Sequence, residues 1–195
     1  MSYDLLEGWD VFNAADRRAF WKELEEDAPL VVTLGPECKV FSQMRRISLD
    51  KMDPKTKWEA EMRGVFQLHF AAQVARFQWE RGRLFLLEHP AYASSWSTNI
   101  MKEMLSWRGV RIILADQCMM GLQVHPDGPS RKRTGFIGNC DIILDCLKVF
   151  QCNCKHHHIT LERGKLCRKA QVYPPGLCRA VARGLLETVS FLVEQ

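Results

Sequence analysis

Two segments of this chain carry side chains able to do covalent chemistry. In "TLGPECKVFS" (33–42) a thiol, Cys38, follows an apolar run that stops at Gly35 and Pro36. In "RLFLLEHP" (83–90) a carboxyl group, Glu88, closes a second apolar run. A cysteine ionised to the thiolate is a nucleophile, and a nearby carboxyl group can hold a proton on the molecule it attacks. The plainer readings are that Cys38 is a small apolar loop residue and Glu88 a surface charge. A third segment, "QCNCKHHHITLERGKLC" (151–167), gathers Cys152, Cys154, His156, His158 and Cys167. These are zinc-binding types, which makes zinc a candidate cofactor. Their Cys-x-Cys spacing is tighter than the usual Cys-x-x-Cys pair, so a solvent-facing turn with incidental thiols competes. His157, between two better-placed histidines, is not counted among the ligands.

Apolar periodicity supplies the elements that must position these groups. Residues 13–27 read as a helix capped by Asn13, with Asp16 in its first turn. "LVVTL" (30–34) is short and β-branched and reads as a strand buried on both faces. Residues 55–81 repeat apolar side chains at helical spacing (Met62, Val65, Phe66, His69, Ala72, Phe77), and Gly82 ends the run. A second buried strand follows at 83–88, then a helix at 97–107. Residues 109–124 read as a strand, a turn and another strand, and 125–133 as a polar loop. A short strand at 134–139, a helix at 140–149 and a Cys/His-rich stretch at 150–169 come next. Pro174 and Pro175 open a last helix, where proline suits the unpaired first turn. Helices alternating with buried strands predict an α/β sheet, here one domain over 1–195. A helical crossover makes the first two strands parallel. Their ends then place Cys38, on the loop 35–45, beside Glu88, on the loop 88–96, at the edge where open α/β sheets bind ligands.

The 195 residues are 47% hydrophobic and 26% charged, ordinary for a folded domain. No apolar run is long enough to span a bilayer. The opening "MSYDLLEGWD" has no basic region followed by an apolar stretch. The expectation is therefore an intracellular protein of nucleus or cytoplasm, without membrane contact, whose eight cysteines stay reduced. A formal charge of +4 permits a polyanionic partner without demanding one. "RKR" (131–133) can meet phosphates, although a solvated loop is the plainer reading. A cysteine hydrolase would need a histidine base beside Cys38, and neither His69 nor His89 sits in a hydrolase motif.

"GPECKVFS" resembles the catalytic-loop motif of DNA cytosine-5 methyltransferases, G-P-P-C-x-x-F-S. "LFLLEHP" is similar to their later F-x-x-E-N-V or E-N-P motif. "AQVYPPGLCRAVARGL" resembles their C-terminal V-x-x-x-x-P-P-x-L-x-x-x-I segment, and the three occur in the family's order. "RKRTGFIGN", followed by a Cys/His cluster, resembles a phage and mobile-element branch. The resemblance implies an incomplete Rossmann-like methyltransferase fold with a small Cys/His-rich C-terminal insertion. It implies Cys38 as nucleophile and Glu88 as the group on the N3 edge of a flipped-out cytosine in DNA. Gly35, Pro36 and Ser42 would shape the loop around the substrate, and Arg45 or Arg46 would meet a phosphate. The implied cofactor is S-adenosylmethionine. The family binds it through an F-x-G-x-G turn, which the 37 residues before Cys38 do not contain. Glu37 replaces the second proline, and His89 stands where asparagine is common. A partner chain or a longer polyprotein would supply the missing strands. The reading from another class is a non-catalytic nucleic-acid- or protein-binding domain of a mobile-element polyprotein.

Overall fold

The structure, a computed structural model, describes residues 3, 8–42, 51–161 and 164–194. It is a mixed α/β fold around one four-stranded sheet of order β1-β2-β4-β3. Helix α1 (Ala14–Asp27) starts where the Asn13 side chain accepts the Ala15 N–H. Strand β1 (Val31–Leu34) leads to a 3₁₀ turn at Lys39–Phe41. The long α2 (Pro54–Glu80) begins at an Asp53 cap and crosses to β2 (Leu84–Pro90). Helix α3 (Asn99–Ser106) precedes β3 (Arg111–Asp116), and β4 (Arg133–Gly138) follows a long connection. Helices α4 (Asp141–Lys148), α5 (Gly164–Lys169) and α6 (Pro175–Val193) complete the chain.

β1 and β2 pair in parallel, with Leu34 opposite Leu87, as the helical crossover predicts. β4 then enters antiparallel between β2 and β3. Period-two alternation gives the sheet two faces. Phe85, Leu87 and Ile137 pack with Leu68, Met101 and Met104 on one face. Leu86, Ile113 and Phe136 pack with Ile143, Leu144 and Leu177 on the other.

Four expectations need correction. β1 is an edge strand paired only with β2 among the described residues, so it is half-buried rather than covered on both faces, and Leu30 before it is exposed. β2 continues through Glu88 and His89 to Pro90 because β4 pairs with it there, so Glu88 sits within a strand and not on a loop. The second strand expected before residue 124 is a 3₁₀ turn, Gln117–Met120, closed by Gly121 at φ 88°. Finally, α2 buries Gly64, Leu68, Ala71, Ala75 and Gln78 and turns Met62 and Phe66 toward the surface. Gly64 decides that rotation, since a side chain there would overlap Val40 in the turn after β1.

Two polar side chains lock the sheet to its surroundings. Gln78 is fully buried, and its Nε2 donates to the Pro29 and Leu84 carbonyls at 3.0 and 3.2 Å, joining α2 to the starts of β1 and β2. Asn139, just past β4, accepts the Phe85 N–H at 2.9 Å and donates to the Arg83 carbonyl at 2.8 Å. Asn139→Ala leaves the Phe85 N–H and the Arg83 carbonyl without these partners. The expected loss is about 2 kcal/mol of stability, read by chemical denaturation.

Candidate functional site

Glu88 leaves the sheet face lined by Leu86 and Phe136, near the end of β2. Its side chain is 15% exposed, and Oε1 lies 3.3 Å from Lys132 Nζ. Lys132, itself 18% exposed, also donates to the Ala170 carbonyl at 3.3 Å. Tyr173 donates its hydroxyl to Glu88 Oε2 at 3.3 Å. Although 41% of Tyr173 is exposed, its hydroxyl end is enclosed, and burial together with Glu88 pushes the phenol up. A Cβ on Gly35 would stand 2.9 Å from that hydroxyl oxygen, so the glycine leaves the room Tyr173 needs.

Cys38 sits at the start of the 3₁₀ turn after β1, where its carbonyl accepts the Phe41 N–H at 3.1 Å. Burial pushes its thiol up, and the Glu88 and Glu37 charges add to that. Lys132 and a backbone hydrogen bond pull it down. Glu37 is itself paired with Lys39 at 3.1 Å, and its N–H donates to Gln67. The thiol and the carboxylate therefore share one electrostatic environment at neighbouring strand ends. Pro36 precedes this turn, and Ser42 closes it by donating its N–H to the Lys39 carbonyl. Arg45 and Arg46 lie outside the described residues.

Two residues reach this site that sequence reasoning placed elsewhere or passed over. Lys132 belongs to the "RKR" loop read as a phosphate contact or a solvated turn. Its ammonium instead turns inward to Glu88 because the Lys132 carbonyl is held by the Gln117 N–H at 3.0 Å. Tyr173 lay in a quoted motif, yet nothing in the sequence singled it out from the prolines after it.

His89, the next residue on β2, faces the other side of the sheet. It is fully buried between Phe41 and Trp96, and neither ring nitrogen has a hydrogen-bond partner. Burial, with Lys132 second, holds its pKa down at about 4. Trp96 lies across Gly135 and donates to the Pro90 carbonyl at 2.7 Å, so it covers the sheet instead of lining the Glu88 site.

A second constellation is a candidate metal centre. Donor atoms of Cys118, Cys152, His156 and His158 lie within 4.8 Å of one another. Cys152 Sγ is 3.6 Å from His156 Nε2 and 3.4 Å from His158 Nε2, and it accepts the Cys154 N–H at 3.3 Å. The Cys152 N–H is held by Asp116 Oδ2 at 3.0 Å. Burial and the Cys152 thiol push the Cys118 thiol up to about 12. Metal coordination acts the other way and deprotonates such a thiol.

Of the five metal-ligand candidates read from the sequence, three belong to this group. Cys152, His156 and His158 converge, and His157 stands outside the group. Cys154 and Cys167 do not join. Cys154 is exposed with φ 58°, a backbone bend that offers its N–H and not its thiol, while Cys167 donates to the Leu161 carbonyl at 2.9 Å. The fourth donor of the group, which the sequence did not single out, is Cys118, in "ADQCMM" just after β3. It lies far from the other three in the sequence, with no Cys or His beside it to signal a role.

Compared with protein-family models, curated proteins and solved structures, the chain matches none. No helix among the described residues is long and apolar enough to cross a membrane.

The buried His89 makes stability depend on pH. Its folded pKa lies below the ordinary value, so the unfolded chain takes up the proton first as pH falls. Stability contributed above about pH 6.5 is expected to drop by about 3 kcal/mol by pH 4. Between about pH 6.5 and 4 the wild type should lose this stability and His89→Leu should not, so their denaturation midpoints are expected to separate on the acid side.

Proposed function

We propose that this chain is the nucleophile-bearing part of a DNA (cytosine-5)-methyltransferase-like protein, an incomplete Rossmann-like fold that acts on cytosine. One observation carries the reading. Each of the four segments that resemble the family sends a residue to one place, Gly35, Glu88, Lys132 and Tyr173, and Cys38, three residues after Gly35, feels the charges of Glu88 and Lys132. Segments far apart in the chain, quoted for their likeness to motifs, are expected to meet only if those motifs serve a common site.

In this reading the Cys38 thiolate adds to carbon 6 of a flipped-out cytosine while Glu88 holds the N3 edge. Lys132 offsets the charge beside Glu88, and Gly35 and Pro36 shape the turn. S-adenosylmethionine, when bound, supplies the methyl group. The described residues offer no glycine-rich turn to fit it. The outer edge of β1 carries no paired strand among them, which is where strands from a partner chain or a longer polyprotein would add. A non-catalytic nucleic-acid- or protein-binding domain of a mobile-element polyprotein is the second reading. The raised Cys38 thiol favours it, because a thiol is a poor nucleophile.

Thiol addition has a signature that needs no methyl donor. The S–C6 bond forms, C5 takes a proton from solvent and then loses one, and the S–C6 bond breaks. Exchange of the C5 hydrogen in DNA labelled at cytosine C5 is expected with the wild type and absent with Cys38→Ala. Exchange that persists without Cys38 contradicts the role given to it. No exchange, together with no S-adenosylmethionine binding up to millimolar by calorimetry, leaves the binding-domain reading.

We also propose zinc for the Cys/His centre, as a structural ion. Tetrahedral zinc with its usual bond lengths sets sulfur and nitrogen ligands about 3.6 Å apart. The two distances from Cys152 Sγ, 3.6 and 3.4 Å, fit that edge. One zinc per chain is expected by elemental analysis. Cys118→Ser and Cys152→Ser should lose it, whereas Cys154→Ser and Cys167→Ser should keep it.

A further inference from the structure

The metal centre and the Glu88 site share a segment. Of the four ligands, Cys118 comes from the β3–β4 connection and the other three from the loop after α4. That connection ends at Lys132. The loop after α4 is strapped to it at one place. The Ile159 N–H donates to the Pro129 carbonyl at 2.9 Å, and Ser130 and Ile159 form a parallel bridge. Asp116 receives the Cys152 N–H on one oxygen, while its other oxygen lies 4.0 Å from Arg133 Nε. Inside the connection, Ser130 N–H donates to the Leu122 carbonyl, Leu122 N–H to Gln117, and Gln117 N–H to the Lys132 carbonyl. Gln117 also reaches Thr134 through its side chain at 2.9 Å. Every one of these bonds lies between a metal ligand and the backbone that aims Lys132 at Glu88.

We infer that the Cys/His centre is the clamp that holds Lys132 on Glu88, so that metal occupancy sets the electrostatics around Cys38. The inference rests on the metal-binding reading of the cluster. Lys132 is in this account a positioning residue that acts through Glu88. The reasoning is mechanical. A metal ion replaces weak thiol–imidazole contacts with four bonds that join two segments of chain, and it removes the freedom of the connection between them. A long lysine side chain loses rotamer freedom when held in one pose, so its hold on Glu88 depends on a fixed backbone. Without the clamp the ammonium withdraws, and Glu88 acts on Cys38 unopposed. The charged groups that face Cys38 are then Glu88 from β2, Tyr173 from the approach to α6, and Glu37 with its partner Lys39 from the same turn.

The test is the pH profile of Cys38 alkylation by iodoacetamide, read on the Cys38 peptide by mass spectrometry, with and without zinc. Removing zinc with a chelator is expected to move the profile to higher pH and slow labelling at pH 8 about fivefold. Lys132→Gln in the zinc-loaded chain is expected to give the same shift, and zinc removal should add nothing further to it. Buried Cys140 reports unfolding, because it stays unlabelled in a folded chain. If the zinc-free chain does unfold, Ile159→Pro decides: it keeps every ligand but removes the N–H that straps Pro129. It is expected to reproduce the alkaline shift with zinc still bound. Zinc bound with an unchanged Cys38 profile in the Lys132→Gln or Ile159→Pro chain overturns the clamp alone. A chain that takes up no zinc overturns the metal reading and the clamp with it.

Discussion

A carboxylate near the end of β2, 15% exposed, requires a cation and a hydroxyl beside it. Withdrawing an ionised group that far from water costs several kcal/mol unless partners replace the lost hydration. Lys132 and Tyr173 are those partners, and the requirement reaches far through the fold. The lead-in to β4 must pass close enough for a lysine to span the gap. The chain must return after α5 so that Tyr173 arrives before α6 begins. The turn after β1 must carry glycine, because a side chain at residue 35 would push the phenol away. The same grouping sets the state of Cys38, which feels burial, two acids and one base together.

The sheet order makes this meeting feasible. With β4 antiparallel between β2 and β3, the start of β4 lies next to the end of β2. The β3–β4 connection then lies at the same end of the sheet as Cys38 and Glu88. It carries Cys118 at one end and Lys132 at the other. The connection buries Cys118, Met120 and Leu122, which tie it to the rest of the fold.

Much of the architecture was legible in the sequence. Local signals that act within a few residues placed the elements: the Asn13 cap, Gly82 after α2, and the prolines that open α6. The parallel pairing of β1 and β2 followed from the length of the crossover. Face assignments were less legible. On α2 the apolar spacing fits two rotations, and the buried one is chosen by the contact of Gly64 with the turn after β1. The reach of β2 to Pro90 depended on pairing with a strand more than forty residues away.

The candidate site divides along the same line. Cys38 and Glu88 could be singled out because each follows or ends an apolar run, and three of the four clustered Cys and His donors because they crowd within seven residues. Cys118, Lys132 and Tyr173 could not. Each acts through a partner distant in the chain, and no local pattern records such a pairing. Residue type and short-range spacing determined by themselves what chemistry this chain carries: a thiol, a carboxyl group and soft metal ligands. Tertiary structure alone decided which of these groups act together. Burial, strand order and the directions of side chains are properties of the packed chain, and they set the charges that each group meets.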